Sequence, residues 1–143
     1  MQVKIKRIEK DLPLPEYKTS GAVAFDIYSR VETAIQPQTF ETLPTNLIIA
    51  IPEGYMLMLA ARSSSANKKG LTMRNGVGII DPDFCGPEDE LHVMIHNFSN
   101  EVKIVERGER VAQGIFIPIR KGEWIEVEEM TAETRGGFGS TGL

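Results

Sequence analysis

The sequence has little of several residue types, and each shortage excludes a class of protein. Its 143 residues include one cysteine, Cys85, so neither an intrachain disulfide nor a cysteine-based zinc site is available. No apolar run approaches the roughly 20 residues that a membrane-spanning helix needs. The net charge is −4, whereas sequence-independent binding to nucleic acid requires a surface dense in Lys and Arg. We therefore expect a cytoplasmic protein that binds neither membranes nor nucleic acid.

The remaining composition is that of an ordinary globular protein, with 41% apolar and 25% charged residues. The length is sufficient for one hydrophobic core and too short for two independent domains. We predict a core domain over residues 1–130. Residues 131–143 contain four glycines and no apolar periodicity, which predicts a mobile C-terminal arm that closes over an active site.

Short segments of alternating apolar and polar residues recur along the chain, separated by turn residues such as Pro37, Gly108 and the pair Asn75-Gly76. This pattern predicts an all-β fold, a distorted jelly roll or β-barrel of short antiparallel strands. One short helix is predicted where three serines precede Ala66 and Gly70 ends the segment. The predicted strands cover residues 3–6, 39–43, 46–51, 55–60, 77–80, 91–97, 102–105, 111–117 and 124–127.

The start of the predicted helix carries side chains suited to phosphate. Arg62 supplies a forked guanidinium, and Ser63 and Ser64 supply hydroxyls beside backbone N–H groups that attract anions. The alternative is a serine-rich helix cap that lies beside basic residues without any ligand. The segment alone does not decide between them.

The segment from Asn75 to Gly86 combines a tight turn with a carboxylate. The predicted hairpin at Asn75-Gly76 offers backbone groups to the edge of a planar base, and Gly78 permits close approach. Asp81 follows an apolar run and is placed to act as a general base, although Asp before Pro is also a common turn opener.

Two further segments contain polar or aromatic residues that a simple core does not explain. Arg110 and Gln113 interrupt an apolar strand, and Arg110 suits either a ligand or a surface ion pair. Phe138 lies between glycines in the C-terminal arm, where its ring can stack on a base when the arm closes.

Together with residues 20–29, these segments resemble in order and spacing the five motifs of the trimeric deoxyuridine triphosphatases (dUTPases). The resemblance implies a β jelly roll, a homotrimer with shared active sites, and hydrolysis of dUTP to dUMP and pyrophosphate. It implies that Asp81 activates the water that attacks the α-phosphate, and that Asp26 and Arg110 organise the surroundings. It also implies a Mg²⁺ cofactor held mainly by triphosphate and water, with Asp26 reaching it through a water. The implied substrate contacts are Arg62, Ser63, Ser64, Asn75, Gly78, Phe84, Gln113, Arg135, Phe138, Gly139 and Ser140.

The chain differs from the usual family pattern in four places. Phe84 replaces the Tyr beneath the deoxyribose, residues 87–89 resemble an insertion, Ser64 and Ser65 replace Gly and Leu, and the tail is shorter between Arg135 and Phe138. The serines bring the segment closer to the related dCTP deaminases, an alternative function that needs a glutamate where this chain has Met94. A second alternative is a dUTP-sensing module that contacts a protein partner. His92 and His96 share a strand face too far apart to chelate one ion, so an interface or solvent-facing role is expected.

Overall fold

The computed structural model describes residues 1–137 and is almost entirely β-structure with one short helix. The strands are β1 (Lys4–Arg7), β2 (Phe25–Tyr28), β3 (Thr33–Ile35), β4 (Phe40–Pro44), β5 (Leu47–Ala50), β6 (Tyr55–Ala60), β7 (Leu71–Met73), β8 (Val77–Ile80), β9 (His92–Asn97), β10 (Lys103–Val105) and β11 (Arg110–Pro118). The helix, α1 (Ser63–Lys69), lies between β6 and β7. The predicted all-β class is confirmed.

The strands form two larger sheets and two strand pairs, and all the pairings are antiparallel. One sheet has the order β2-β11-β6-β8, and the other has the order β4-β9-β7. The pairs are β1-β5 and β3-β10. Within residues 1–137, every pairing joins strands that are not consecutive in the sequence, which is the connectivity expected of a jelly-roll-like fold.

The core lies between the sheets and is built from the inward-facing residues of each strand. In β6, Leu57 and Leu59 are fully buried while their neighbours are half exposed, as strand alternation requires. The aromatic residue Phe25 packs against Gly114 of β11, where a Cβ atom would lie 2.6 Å from its ring. β2 approaches β11 so closely that packing requires glycine at position 114. The same pairing places Asp26, which follows Phe25, opposite Gln113.

Helix α1 ends as predicted but does not begin as predicted. Gly70 has φ 67° and ψ 29°, the left-handed conformation in which glycine commonly ends a helix, and its N–H bonds to the carbonyl of Ala66. The predicted serine cap was wrong. The N-cap residue is Arg62, which makes no side-chain cap bond, and all three serines lie within the helix.

The strand predictions were most accurate where a short apolar segment is bounded by turn residues. β6 and β8 have the predicted bounds, and six other predicted strands are present within one or two residues. β2, β3 and β7 were missed. The strand predicted at 124–127 is absent, because β11 ends at Pro118 and residues 119–137 have no regular secondary structure.

The Asn75-Gly76 turn is present, but the prediction of a paired hairpin there was wrong. Gly76 has φ 71° and donates its N–H to the carbonyl of Met73, at 3.2 Å. The flanking strands pair with different neighbours, β7 with β9 and β8 with β6. The turn is therefore a corner between the two sheets. We call residues 74–77 the sheet corner.

A buried polar group joins the N-terminal segment to the core. Asn46 is 2% exposed with φ 70°, and its side-chain amide bonds both to the N–H and to the carbonyl of Glu9. Its own N–H donates to the carboxylate of Glu90, which also accepts two bonds from Arg30. These bonds satisfy the polar atoms that this part of the fold buries.

In residues 1–137, no helix combines the length and the apolar character needed to cross a membrane.

Candidate active site

One carboxylate forms the centre of the first group of predicted site residues. Asp26 is 9% exposed, and its Oδ1 accepts a hydrogen bond from Nε of Arg62 at 2.9 Å. Its Oδ2 accepts a second bond from a terminal nitrogen of Arg110, at 3.2 Å. One buried negative charge thus holds two guanidinium groups, one at the start of α1 and one at the start of β11. We call these three residues the Asp26 cluster.

The Asp26 cluster carries a net positive charge, because two arginines meet one carboxylate. The Arg62 side chain is 24% exposed and the Arg110 side chain 45% exposed, so both retain N–H groups that solvent or a ligand can reach. Guanidinium N–H groups match the oxygens of a phosphate. The arrangement is suited to a small polyanion.

Gln113 connects the same region to the strand before α1. In β11 it lies between Asp26 of β2 and Ala60 of β6. Its Nε2 donates to the carbonyl of Ala61 at 2.9 Å, directly before Arg62. The Gln113 amide therefore fixes the backbone where β6 leads into α1.

An ion pair that the sequence analysis did not identify joins α1 to the turn before β11. Nζ of Lys69 lies 2.6 Å from Oε1 of Glu109, and Oε2 of Glu109 accepts the N–H of Glu106. The pair connects the helix that follows Arg62 with the residue before Arg110. Because Lys69 and Glu109 are 40 residues apart and each occurs in a run of charges, neither carried a signal in the sequence.

The second group of predicted residues follows the sheet corner. Asn75 and Gly76 are exposed at the corner, and Gly76 has open space where a Cβ atom would be. Gly78 is buried, and a Cβ there would lie 3.2 Å from the Cβ of Leu59. The packing of β8 on β6 is thus a sufficient reason for glycine at position 78.

Asp81 and Phe84 are held together by a turn at the end of β8. The N–H of Phe84 donates to the carbonyl of Asp81 at 3.2 Å, and both residues are exposed. The next turn contains residues 87–89, where the Asp89 carboxylate accepts the N–H of Gly86 at 2.6 Å. Nζ of Lys6 donates to the carbonyl of Pro87. The apparent insertion is therefore a short turn anchored to β1.

The two groups lie at opposite ends of the β6-β8 pair within one chain. Val77 is paired with Ala60, and Ile80 is paired with Leu57. Arg62 follows the first end and Asp81 follows the second. At the usual rise per strand residue, their separation is on the order of 20 Å. A single chain does not bring Asp81 to Arg62 and Gln113.

Of the predicted residues of the arm, Arg135 is described and exposed without regular structure. Phe138, Gly139 and Ser140 lie outside the described residues. His92 and His96 both point outward from β9, and Nδ1 of His92 lies 2.8 Å from the carbonyl oxygen of Glu90.

An ion cluster away from the predicted site contains most of the side chains whose pKa is shifted by their neighbours. Hydrogen bonds from Arg107, and then from Arg30, lower the pKa of the Glu9 carboxyl. A hydrogen bond from Arg107 also lowers the pKa of Asp11. Bonds to Glu90 and then Glu9 raise the pKa of Arg30. This cluster joins the N-terminal segment to the ends of β2 and β10, so it supports the fold.

The fold and the Asp26 cluster together define a class: an all-β, jelly-roll-like protein with a cluster of two arginines whose chemistry suits a small polyanion. Comparison with known proteins identifies the family. A sequence model of the dUTPase family matches residues 10–142. The deoxyuridine 5′-triphosphate nucleotidohydrolase of Dictyoglomus turgidum is 40% identical over 149 residues, covering 100% of this chain and 99% of that protein. The chain therefore belongs to the dUTPase family.

Solved structures agree with this assignment. The dUTPase of Streptococcus mutans has a TM-score of 0.77 and 30% identity, covering 84% of this chain and 98% of that chain. A mutant dUTPase of Staphylococcus bacteriophage 80alpha, solved with dUpNHpp, has a TM-score of 0.83 and 26% identity over 99% of both chains. The predicted family and the predicted jelly-roll-like fold are confirmed.

Proposed function

We propose that this protein hydrolyses dUTP to dUMP and pyrophosphate, by in-line attack of a water on the α-phosphate. The observation that carries the proposal is the Asp26 cluster beside Gln113, in a chain that belongs to the dUTPase family. Phosphoryl transfer depends chiefly on positioning and charge neutralisation, which fixed guanidinium groups supply.

The phosphate chain binds at the Asp26 cluster. Arg62 and Arg110 are already oriented by Asp26, so little side-chain entropy remains to be lost when the triphosphate arrives. Ser63 and Ser64 follow Arg62 at the start of α1, and Gln113 of β11 bonds to the carbonyl of Ala61, directly before Arg62. These residues bind and orient the phosphates. Arg135, Phe138, Gly139 and Ser140 belong to the arm over residues 131–143, which we propose closes over the nucleotide.

The nucleoside binds along the second group. The corner at Asn75 presents exposed backbone and amide groups to the edge of uracil, and a donor facing the C4 carbonyl oxygen disfavours the amino group of cytosine. Gly78 lies on the strand that leads to the catalytic Asp81. Phe84, which a turn holds beside Asp81, packs beneath the deoxyribose. Asp81 takes the proton of the attacking water.

Mg²⁺ fits this donor set when the substrate supplies most of its ligands. Both oxygens of Asp26 accept hydrogen bonds from arginines, and Asp26 would contact the ion through a water. Mg²⁺ commonly keeps several waters and binds phosphate oxygens in nucleotide sites. When bound, it neutralises charge that develops on the triphosphate.

Two chains are needed to assemble one site, and we propose a homotrimer with shared sites. The separation of Asp81 from Arg62 supports this, because one α-phosphate cannot contact both residues of one chain. The outer face of β8, β6 and β11 also supports it. Ile79, Met58 and Ile115 form an apolar row there, beside the row that ends at Gln113 and Asp26. A second copy that covers this row places its own residues next to the Asp26 cluster.

The segment after β11 provides a further contact surface. Trp124 is 95% exposed, and Ile125, Val127 and Met130 are exposed beside it. These residues directly precede the arm, and apolar surface of this extent supports their burial against another subunit. Light scattering coupled to gel filtration should give three chain masses. A single chain mass at working concentration would refute the shared-site arrangement.

The proposed function is tested by measuring pyrophosphate release from dUTP, the other common dNTPs and UTP, with Mg²⁺ and with chelator. We expect release from dUTP alone, with Mg²⁺ present. Ammonia release from dCTP is measured in parallel, and finding it instead of pyrophosphate release would indicate the deaminase alternative. The proposal places the enzyme in the cytoplasm, where Cys85 stays reduced.

The role of Asp81 is tested by Asp81→Asn, with the exposed Asp83→Asn as the matched control. We expect Asp81→Asn to retain binding of dUpNHpp and to lose most turnover, because it cannot accept the proton of water. Binding without turnover in the wild-type protein would support the sensing module instead.

A further inference from the structure

The side chain of Arg74 stacks on the ring of Phe40. The guanidinium carbon lies 4.1 Å from the ring centroid, within the range of a cation–π contact. Phe40 begins β4, and Arg74 directly follows β7. Since β9 lies between those strands, the Arg74 side chain extends across the outer face of β9 to reach the ring.

Arg74 is also the residue at which the sheet corner leaves the sheet β4-β9-β7. Its N–H donates to the carbonyl of Met94 in β9, at 2.9 Å. The four residues of the corner are exposed, so core packing does not hold them. The rest of the corner is fixed by the N–H of Gly76, which bonds to the carbonyl of Met73, and by the N–H of Val77, which bonds to the carbonyl of Asn75. Val77 is also paired with Ala60. The stacked Arg74 side chain is therefore a separate anchor at the entrance to the corner.

We propose that Arg74, held against Phe40, is a positioning residue that fixes the Asn75 corner for recognition of the base. The inference rests on the proposed function, in which the corner reads uracil. A binding loop that is preorganised loses less entropy when its ligand arrives, so the anchor contributes to nucleotide affinity. It contributes equally to the bound substrate and to the transition state, because the corner does not contact the scissile phosphate. Its loss raises KM and leaves kcat unchanged.

The two residues act as a unit, and each keeps its effect only while the other is present. Phe40→Leu removes the ring but retains an apolar side chain on β4. Arg74→Met removes the charge and retains much of the length. Exposed cation–π contacts contribute modestly, so each variant should raise the KM for dUTP roughly two- to fivefold. The double variant should equal the single variants, since only one contact is lost.

The experiment measures kcat and KM for dUTP, together with the inhibition constant of inorganic triphosphate, which lacks a base. In Phe40→Leu and Arg74→Met, KM should rise while kcat and the triphosphate constant stay at wild-type values. Phe40→Tyr, which keeps a ring beneath the guanidinium, should restore the wild-type KM. Phe98→Leu is the control, because Phe98 is an exposed phenylalanine that follows β9. Thermal melting shows whether each variant is folded.

An unchanged KM in Phe40→Leu, with dUTP turnover intact in the wild type, overturns the inference and leaves the proposed function standing. A rise in the triphosphate constant that matches the rise in KM also overturns it, because the effect is then not confined to the base. Absence of dUTP turnover in the wild-type protein overturns both proposals. If Phe40→Leu does not fold, Arg74→Met decides by the same measurements.

Discussion

Asp26 and Arg62 are 36 residues apart in the sequence and are joined by a bond of 2.9 Å between Oδ1 and Nε. The bond connects the middle of β2 to the start of α1. It orients a guanidinium group that would otherwise lie on a flexible side chain at the end of a strand. Because Arg110 bonds to the other oxygen, a single carboxylate sets the positions of both cations in the Asp26 cluster.

Asp26→Asn should therefore reduce activity and stability together. The amide keeps the shape of the side chain but loses the negative charge and one of its two acceptor oxygens. Loss of a charge-assisted bond to the half-buried Arg62 should lower the free energy of unfolding by about 1–3 kcal/mol. Misplacement of the two guanidinium groups, which we propose bind the phosphates, should lower kcat/KM for dUTP by about 10- to 100-fold.

Steady-state kinetics and urea unfolding at one protein concentration measure these effects. Glu101→Gln is the matched control, since it removes a carboxylate from the exposed ion pair with Lys103 and should leave both quantities nearly unchanged. Wild-type kcat/KM in Asp26→Asn would exclude Asp26 from the organisation of the site.

Asn46 combines buried hydrogen bonds with a left-handed backbone, and the two contributions can be separated. Asn46→Ala loses both bonds to Glu9, and alanine tolerates the left-handed φ of 70° less well than asparagine does. The substitution should therefore lower the free energy of unfolding by about 2–4 kcal/mol. Asn46→Gly loses the same bonds without the backbone strain. We expect the order of stability to be wild type, then Asn46→Gly, then Asn46→Ala, in urea unfolding. Equal stability of the two variants would show that strain contributes nothing.

The success of the sequence predictions followed the local signal of each strand. β6 is an unbroken apolar run that follows the turn residues Pro52 and Gly54 and precedes Arg62, so these flanking residues predicted both of its bounds. β2 is only four residues long, and it buries three residues in succession, one of which is Asp26. A charged residue in a buried strand is interpretable only when its partners are known. Those partners, Arg62 and Arg110, come from distant parts of the chain.

The candidate site was predictable to the same extent. The order of motifs led to Asp26, Arg62, Arg110 and Gln113, and the structure brings these residues together. The separation of Asp81 from them follows from strand pairing, which a list of motifs does not contain. The contacts of Lys69 with Glu109 and of Arg74 with Phe40 also depend on pairings between distant elements. Local periodicity carries no information about such contacts.

The ion cluster around Arg107 predicts how stability depends on pH. Hydrogen bonds from Arg107 lower the pKa of Glu9 and of Asp11. A carboxyl whose pKa is lower in the folded state stabilises the fold above its ordinary pKa, and this stabilisation is lost as the pH falls through the folded value. The contribution of Arg107 is therefore present at neutral pH, begins to decline near the ordinary carboxyl pKa of about 4, and is lost as the pH falls through the lowered pKa values.

Arg107→Met should melt at a lower temperature than the wild type at pH 7, and the difference should shrink as the pH approaches 3. Melting temperatures between pH 3 and pH 8 check this. Solvent reaches both carboxylates, since Glu9 is partly exposed and Asp11 is exposed, so the effect should also weaken in high salt. Arg120→Met, at an exposed arginine outside this cluster, should show no pH-dependent difference. A difference for Arg107→Met that is independent of pH would mean that lost packing, rather than charge, causes it.

We expect the ring of Phe84 to determine how strongly the enzyme discriminates dUTP from UTP. Its exposed ring follows Asp81 by one turn and offers no hydrogen bond to a ribose hydroxyl. A 2′-hydroxyl placed against this ring is desolvated without a partner, which should be the main penalty against UTP.

Phe84→Ala should therefore reduce the ratio of kcat/KM for dUTP over UTP by about tenfold or more. Phe84→Tyr keeps the ring face and adds one polar group, so the ratio should stay within about threefold of wild type. Kinetics with both nucleotides test this, and Phe98→Ala controls for loss of an exposed ring. If Phe84→Ala keeps the wild-type ratio, discrimination must arise elsewhere in the pocket, and the ring beneath the sugar would serve only to bind it.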